Sequence, residues 1–338
     1  MFNGVKVYDV HGHVSVPPAS NAYLALLLAS NTASRSPLSQ GGRTTVTEEQ
    51  FHGAVDRHIA YMDERDIEVQ IIGPRPFMML GWMHHHLLPS WTTYVNDTIA
   101  QQCKFFPDRF LGAAQLPQNS DAPDISHVLP ELDRCVNELG FVAAYLAPDP
   151  PGMRTTPGVN ESYWYPLYER ASELGLPLIV HGTNSQDPRI APIPQNYQMG
   201  FVQEQYLATQ LYGHTDVFER YPDLKVIVCH CGGGLDRFIR SDSHLSQKDL
   251  SNNLFFDTCA HDVDYLTAAI RQRTVSQTVF GTEAPGSGAA VRQEGEGPGK
   301  TGDDLVPVIS SFDWLSDAEK QAILHDTPAK LFPAFDKV

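Results

Sequence analysis

Two histidines flank a single glycine near the start of the chain, in the segment YDVHGHVSV at residues 8–16. The apolar run Val5–Val10 precedes them and predicts a first buried strand. Alternate side chains of an extended chain point to the same side, so His11 and His13 share a face. Histidine is the commonest metal ligand among side chains. The pair by itself could equally be a surface feature, so a metal site requires further ligands.

Other ionisable residues follow later apolar runs, and some of them could supply such ligands. They are Arg75, His181, His230, Asp257, His261 and Glu283. Burying such groups is costly unless they are paired or bind a metal. Three histidines (His11, His13 and His181) and the Glu283 carboxylate, with one open position, are typical of a catalytic divalent metal. Nitrogen and oxygen ligands favour zinc, with manganese as the alternative. The competing interpretation is that His181 is a buried histidine bonded to backbone and that Glu283 is an N-cap or loop carboxylate.

Eight short apolar runs recur along the chain and predict eight strands. Most are apolar on both faces, which is typical of buried parallel strands. The predicted strands are Val5–Val10, Glu68–Ile72, Phe110–Leu116, Phe141–Leu146, Leu178–Val180, Lys225–Cys229, Leu254–Phe256 and Thr278–Phe280.

Amphipathic stretches lie between these runs and predict helices. The first opens with Thr47 and Gln50 at the spacing of a capping box, and Ser316 and Glu319 repeat that spacing near the end of the chain. Strands that alternate with helices predict an α/β fold, a (β/α)8 TIM barrel that forms a single domain over residues 1–338. A doubly wound open sheet is the alternative, but no glycine-rich phosphate motif follows a strand.

The active sites of such barrels lie at the C-terminal ends of the strands. The candidate residues fall there, and long loops at 14–46, 183–200 and 283–302 also follow strands. We therefore expect these loops to form the mouth of a substrate site at the C-terminal face of the barrel.

Composition excludes some classes of partner. The net charge is −16, which argues against binding of nucleic acid, although a local arginine can still bind a small anion. No apolar run approaches the length of a membrane span, and the first residues lack the pattern of a signal peptide. The five cysteines are odd in number and irregularly spaced, which indicates reduced thiols and a cytoplasmic protein.

Taken together, HGH at residues 11–13, the histidine after strand 5, HCGGG at residues 230–234 and the acid after strand 8 resemble the amidohydrolase superfamily. The resemblance is to its amidohydrolase-related branch, which includes aminocarboxymuconate-semialdehyde decarboxylase and several aromatic acid decarboxylases. The strand-8 acid of that branch is usually aspartate, whereas this chain has Glu283. The 4-oxalomesaconate hydratases of the branch have glutamate there, and segments such as GPRPF and YLAPDPPG are similar to that group.

The resemblance implies a role for each candidate residue. His11, His13, His181 and Glu283 would hold one metal ion, His230 and Glu283 would move protons, and Arg75 would bind a substrate carboxylate. Asp257 and His261 would border the substrate. The expected activity is hydration of an unsaturated oxo-dicarboxylate or oxo-tricarboxylate, because a glutamate side chain can reach both metal and substrate.

Three other functions remain open at this stage. Non-oxidative decarboxylation of an aromatic or muconate-type acid fits the same residues. Hydrolysis with one metal is another, because the lysine that bridges two metals in the superfamily's hydrolases is missing after strand 4. A barrel that only binds metal would be expected to lack a ligand, and only the Asp-to-Glu change is present. The resemblance also implies a homo-oligomer.

Overall fold

The computed structural model describes residues 1–29, 46–194 and 196–338, and its centre is one parallel sheet of eight strands in the order β1 to β8. Every predicted strand is present within a few residues of its expected bounds. The strands are β1 Tyr8–His13, β2 Val69–Gly73, β3 Phe110–Ala114, β4 Ala143–Leu146, β5 Leu178–Val180, β6 Val226–Val228, β7 Leu254–Asp257 and β8 Thr278–Val279.

Backbone hydrogen bonds between β1 and the end of β8 bring the two edges of the sheet together. Val10 N donates to Phe280 O at 3.0 Å, and Glu283 N donates to His11 O at 2.8 Å. The predicted (β/α)8 barrel is therefore confirmed. The second of these bonds joins two of the candidate site residues, so the barrel closes at its C-terminal end through the candidate site.

Helices surround the barrel, and both predicted capping boxes are present, at Thr47 and at Ser316. The helices are α1 Pro18–Ala29, α2 Glu48–Asp63, α3 Leu88–Phe105, α4 Leu129–Asn137, α5 Tyr165–Leu174, α6 Asn196–His214, α7 Val217–Arg220, α8 Cys229–Gly232, α9 Val263–Arg273, α10 Leu305–Ser311, α11 Asp317–Gln321 and α12 Thr327–Leu331.

The predictions for two of the three loops were wrong in part. Helix α1 occupies residues expected to be loop after β1, and α6 begins within the segment 183–200. Neither helix has an amphipathic pattern, because both carry apolar residues around much of their circumference, and this removed the usual signal. The rest of the first loop, residues 30–45, lies outside the described residues. The third loop, 283–302, contains only an isolated bridge between Val291 and Thr301.

Side chains of successive strand residues alternate between two cores. Ile179 and Ile227 pack inside the barrel, whereas Val180 and Val228 pack between the strands and the helices. The C-terminal segment closes the other end of the barrel, where Phe335 stacks on Tyr8 with ring centroids 4.4 Å apart. The barrel interior is therefore filled below the candidate site, and the site opens towards the C-terminal face of the barrel.

Two glycines give a matched test of this packing. A Cβ at Gly73 in β2 would lie 2.2 Å from the buried ring of Tyr145, whereas a Cβ at Gly53 in α2 would meet nothing within 4 Å. We expect Gly73→Ala to lower the free energy of unfolding by about 1–3 kcal/mol through overpacking. Gly53→Ala should raise it by up to about 1 kcal/mol, because alanine favours a helix. Urea unfolding of both variants measures the difference, and equal effects would contradict this account of the barrel interior.

Candidate active site

Four histidine rings meet at the C-terminal end of the barrel. The centroid of the His11 ring lies 5.2 Å from that of His13, 5.1 Å from that of His181 and 5.2 Å from that of His230. His11, His13 and His181 are at most 2% exposed. The structure thus brings together residues that β1, β5 and β6 contribute from separate parts of the sequence.

A bulge in β1 aims the two histidines of that strand. The register with β2 shifts between Asp9 and Gly12, so β1 uses one residue more than its partner over this stretch. Such a bulge reverses the alternation of side chains and re-aims those beyond it. Tyr8 and Val10 face the barrel interior before the bulge. His11 and His13 can therefore also face the barrel axis. They lie at the end of β1, not after it as expected.

The second nitrogen of each buried ring has a fixed partner. His11 Nδ1 lies 2.7 Å from Asp257 Oδ2, His13 Nδ1 lies 2.9 Å from Pro74 O, and His181 Nδ1 lies 2.7 Å from Gly182 O. All three partners only accept hydrogen bonds, so each Nδ1 donates, and a neutral ring then carries its lone pair on Nε2.

The three Nε2 atoms are buried and have no hydrogen-bond partner in the part of the chain that the structure describes. Three orphaned imidazole lone pairs close to one carboxylate are costly unless a cation binds them. The donor set therefore fits a divalent metal. Ligand atoms of His11, His181, His230 and Glu283 all lie within 4.8 Å of one another. His13 is not in that group, but its Nε2 lies 3.5 Å from Glu283 Oε1.

The two oxygens of the Glu283 carboxylate have different surroundings. Oε1 lies 3.5 Å from His13 Nε2 and 3.9 Å from His181 Nε2. Oε2 lies 3.8 Å from His230 Nε2 and accepts a hydrogen bond of 2.7 Å from Ser287 Oγ. Oε1 therefore lies beside the orphaned nitrogens of His13 and His181, whereas Oε2 faces His230.

Burial and pairing set the charge states of these groups. Burial lowers the pKa of His13 to about 4 and that of His181 well below its usual range, so both rings are neutral near pH 7. Burial also opposes the charged form of His11, but the hydrogen bond to Asp257 raises the pKa of that ring. Burial raises the pKa of Glu283, but the neighbouring rings of His13 and His230 lower it by more. The pKa of this carboxyl group therefore lies well below its usual range. Glu283 is thus a carboxylate among imidazoles.

His230 is presented by strained backbone. Its φ and ψ are 53° and 47°, and Cys231 also lies in the left-handed region, so α8 is not a regular helical turn. Gly233, three residues after His230, has φ of 77°, and a Cβ there would lie 2.4 Å from Val202 O. His230 Nδ1 lies 3.0 Å from Gln205 Oε1, which fixes the ring and leaves Nε2 towards Glu283. Such strain is typical of functional sites.

A cavity of about 470 Å³ opens beside Glu283 and His13. Arg75 lines it, and its Nε donates to Val14 O at 3.0 Å. No carboxylate lies within ion-pair distance of this guanidinium among residues 1–29, 46–194 and 196–338. The aromatic residues around the cavity are Tyr61, Phe77, Tyr197 and Phe201. The cavity thus combines flat apolar walls with a guanidinium that has no carboxylate partner among the described residues.

The two residues expected to border the substrate have different positions. Asp257 is 1% exposed, and its carboxylate accepts from Cys231 N and Cys259 N as well as contacting His11. It thus lies behind the metal-site rings and orients one of them. His261 is partly buried, and its Nε2 lies 3.3 Å from Ser287 Oγ.

Sequence reasoning missed several residues that shape the site. Tyr145 in β4 is fully buried against His13 and His181 and donates to Gly12 O at 3.1 Å. Its signal was a tyrosine within an otherwise small, apolar strand. Ser287 gave no signal, because serine is common in loops. Asp9 and Gln70 are fully buried polar residues within predicted strands, and that conflict with the apolar pattern could have identified them.

Comparison with known proteins agrees with this geometry. The amidohydrolase family model matches residues 8–334. The chain is 28% identical to 2-keto-4-carboxy-3-hexenedioate hydratase of Sphingobium sp., over 98% of this chain and 97% of that protein. The structure of 4-oxalomesaconate hydratase from Rhodopseudomonas palustris superposes with a TM-score of 0.82 at 24% identity, covering 98% of this chain and 97% of that one.

A decarboxylase has the same fold. The structure of dihydroxybenzoic acid decarboxylase from Polaromonas sp. JS666, which contains manganese, superposes with a TM-score of 0.65 at 20% identity and covers 97% of both chains. Separately, none of the helices in the described part of this chain is long and apolar enough to cross a membrane.

Removing imidazoles tests whether they hold a metal. We expect the purified protein to contain one divalent ion per chain, and His11→Ala with His13→Ala to lose it while the far-UV circular dichroism is retained. His127→Ala is the matched control, because both nitrogens of this exposed ring are bonded within the loop at 119–127. Elemental analysis of all three proteins gives the answer. Full metal content in the double variant would refute the assignment.

Proposed function

Because the chain belongs to the amidohydrolase family, we propose that it is a metal-dependent lyase that hydrates a small unsaturated oxo-dicarboxylate or oxo-tricarboxylate. The observation that carries this proposal is the division of the Glu283 carboxylate, with Oε1 among the imidazoles and Oε2 towards His230. A carboxylate so placed can contact a metal and also move a proton. The activity of the hydratase relative from Sphingobium sp. supports the same reaction class.

The proposed metal ligands are His11, His13, His181 and Glu283, with zinc as the metal and manganese as the alternative. A divalent ion bound there would act as a Lewis acid and lower the pKa of water. Asp257 would keep the lone pair of His11 directed at the ion by holding its Nδ1 proton. Pro74 O and Gly182 O would do the same for His13 and His181.

Hydration adds a hydroxyl group to one carbon of a double bond and a proton to the next. We infer that Glu283 Oε2 accepts a proton from water, whose oxygen then bonds to the electron-poor carbon. Because His230 Nδ1 donates to Gln205 Oε1, this step requires a ring that carries a proton on both nitrogens; it donates the Nε2 proton to the adjacent carbon and becomes neutral. The distance between Oε2 and Nε2 is 3.8 Å, so the proton gained by the carboxylate can return to the imidazole within the site.

Arg75 is the proposed anchor for a substrate carboxylate. The guanidinium lines the cavity with Glu283, and a planar fork matches a carboxylate through two parallel hydrogen bonds. The aromatic walls suit the flat, conjugated chain of an unsaturated acid. His261 and Ser287 border Glu283 on the other side, and His261 is retained as a proposed substrate contact.

Decarboxylation is the second candidate, because a manganese-containing decarboxylase shares the fold. In that reaction a proton would replace the leaving carboxylate on carbon, and His230 or Glu283 could deliver it. We also propose that the protein is located in the cytoplasm, because all five cysteines are free. The homo-oligomer implied by the resemblance stays a prediction.

The reaction class is tested by following solvent oxygen and carbon dioxide together. The metal-loaded protein is incubated in ¹⁸O-labelled water with 4-oxalomesaconate, with 2-keto-4-carboxy-3-hexenedioate and with 2,6-dihydroxybenzoate. We expect ¹⁸O in the newly formed hydroxyl group of the product of an oxo-acid, and no carbon dioxide. Glu283→Gln should lower kcat by about 10²–10⁴, because the amide cannot accept a proton. Stoichiometric carbon dioxide release would favour the decarboxylase, and near-normal turnover of Glu283→Gln would refute the proton-transfer role.

The role of Arg75 is tested by a substitution that keeps its charge. Arg75→Lys retains the cation but loses the fork, so KM should rise by about tenfold or more while kcat changes little. Arg189→Lys is the control, because that arginine is exposed and paired with Asp187 outside the cavity. Steady-state kinetics on the active substrate measure both. An unchanged kcat/KM for Arg75→Lys would show that the guanidinium is structural.

A further inference from the structure

A buried polar network lies behind the site, and the proposed reaction does not use it. Gln70 in β2 is its centre and is fully buried. Gln70 Nε2 donates to Asp9 Oδ2 at 2.8 Å and to Ala284 O at 2.7 Å. Gln70 Oε1 accepts from His58 Nε2 at 2.8 Å. The side-chain amide therefore uses both hydrogens and its oxygen, which permits only one orientation.

The network holds the residues on both sides of Glu283. Asp9 accepts from Thr282 N at 3.2 Å and from Thr282 Oγ1 at 2.6 Å, which fixes the residue before Glu283. Gln70 fixes the carbonyl of Ala284, the residue after it. Thr282 Oγ1 also accepts from Ala284 N at 3.0 Å, so the two flanking residues are bonded to each other.

Glu283 needs such support, because its backbone is strained. Its φ of 61° lies in the left-handed region, which non-glycine residues adopt at a cost of about 1–3 kcal/mol. With left-handed backbone, the Glu283 side chain points in a different direction from the one it would take if the extended backbone of β8 continued. Without fixed neighbours, the chain could relax and withdraw the carboxylate from His13 and His230.

The neighbouring strands leave space for this network. Gly12 lies between the two metal-site histidines of β1, and a Cβ there would lie 2.2 Å from Gln70 Cδ. The glycine of the His-Gly-His segment thus makes room for the Gln70 side chain. His58 extends the network to helix α2, where its Nδ1 lies 3.1 Å from Ser15 Oγ.

We propose that Gln70, acting with Asp9, is a positioning residue that holds Glu283 in its strained conformation and so aims its carboxylate. The proposal rests on the proposed role of Glu283. Gln70 contacts neither the cavity nor the orphaned nitrogens, so it acts through backbone: directly and through Asp9 on either side of Glu283, and through Asp9 Oδ1 also at His11 N. The hydrogen bonds of one buried amide thus determine the position of the residue that distinguishes this chain from most of its branch.

The matched test compares two buried glutamines. Gln70→Met keeps the shape of the side chain and removes its hydrogen bonds. Gln118→Met is the control, because Gln118 is also buried and bonds Ala147 N and Ala147 O, away from Glu283. Both variants should lose similar thermal stability. Only Gln70→Met should lower kcat, by about 10–100-fold with little change in KM, as expected when a group that orients a site residue is removed.

A double variant separates positioning from general damage. If Gln70 acts through Glu283, Gln70→Met should lower kcat no further in the Glu283→Gln background. An equal loss of kcat in both backgrounds, or an equal loss from Gln118→Met, would overturn the proposal. Should Gln70→Met not fold, Thr282→Val removes the two hydrogen bonds of the Thr282 hydroxyl group and should give the same coupled loss.

A measurement of metal affinity, which needs no turnover, tests this inference separately from the proposed reaction. Competition with a chelator gives the Kd of zinc for each protein. Gln70→Met should raise that Kd by about tenfold or more, and Gln118→Met should leave it unchanged. That result would support the positioning role even in a chain without hydratase activity. Equal Kd values for the two variants would overturn it.

Discussion

Burial of three imidazole rings around one carboxylate is the constraint on which the site depends. A buried polar nitrogen without a partner is costly, and here three of them lie together. The arrangement is tenable because every ring is fixed through its other nitrogen by an acceptor. Those acceptors come from β7 and from the ends of β2 and β5. The fold thus supplies both the rings and the groups that set their tautomers.

Strained backbone occurs at both positions where the proposed acid and base lie. His230, Cys231 and Glu283 are non-glycine residues with positive φ, and they belong to the loops after β6 and β8. His230 is held by Gln205 of helix α6, whereas Cys231 and Glu283 are held by neighbours from other strands. Asp257 accepts from Cys231 N, and His11 O accepts from Glu283 N. Rigid strands therefore sustain loop conformations that a free segment would not adopt, which is the advantage of building a site on a barrel.

Charge is distributed unevenly between the surface and the site. The chain has a net charge of −16, yet the cavity beside Glu283 contains a guanidinium without a carboxylate partner in the described ranges. An acidic surface favours solubility and does not attract an anionic substrate from a distance. The proposed capture of a carboxylate would then depend on Arg75 at short range, where burial strengthens the interaction.

Local patterns in the sequence were sufficient for much of the architecture. The apolar runs, the capping boxes and the residues after the runs are patterns among residues a few positions apart. Together they predicted the barrel and the location of the candidate site. The residues of the proposed metal site were also visible, because His11, His13, His181 and Glu283 are unusual residues at the ends of buried strands. Helices α1 and α6 were missed for the same reason, since their apolar residues do not follow a one-sided helical pattern.

Only the tertiary structure decided how these residues face one another. The bulge in β1 depends on pairing with β2, and it directs His11 and His13 to the barrel axis. Asp257 meets His11 across 246 positions, and Gln70 reaches Ala284 across 214. No local pattern encodes these contacts, because hydrogen bonds between distant segments depend on the closed barrel. The sequence therefore determined which residue types stand at the strand ends, and the closed barrel determined which nitrogen or oxygen of each is directed into the site.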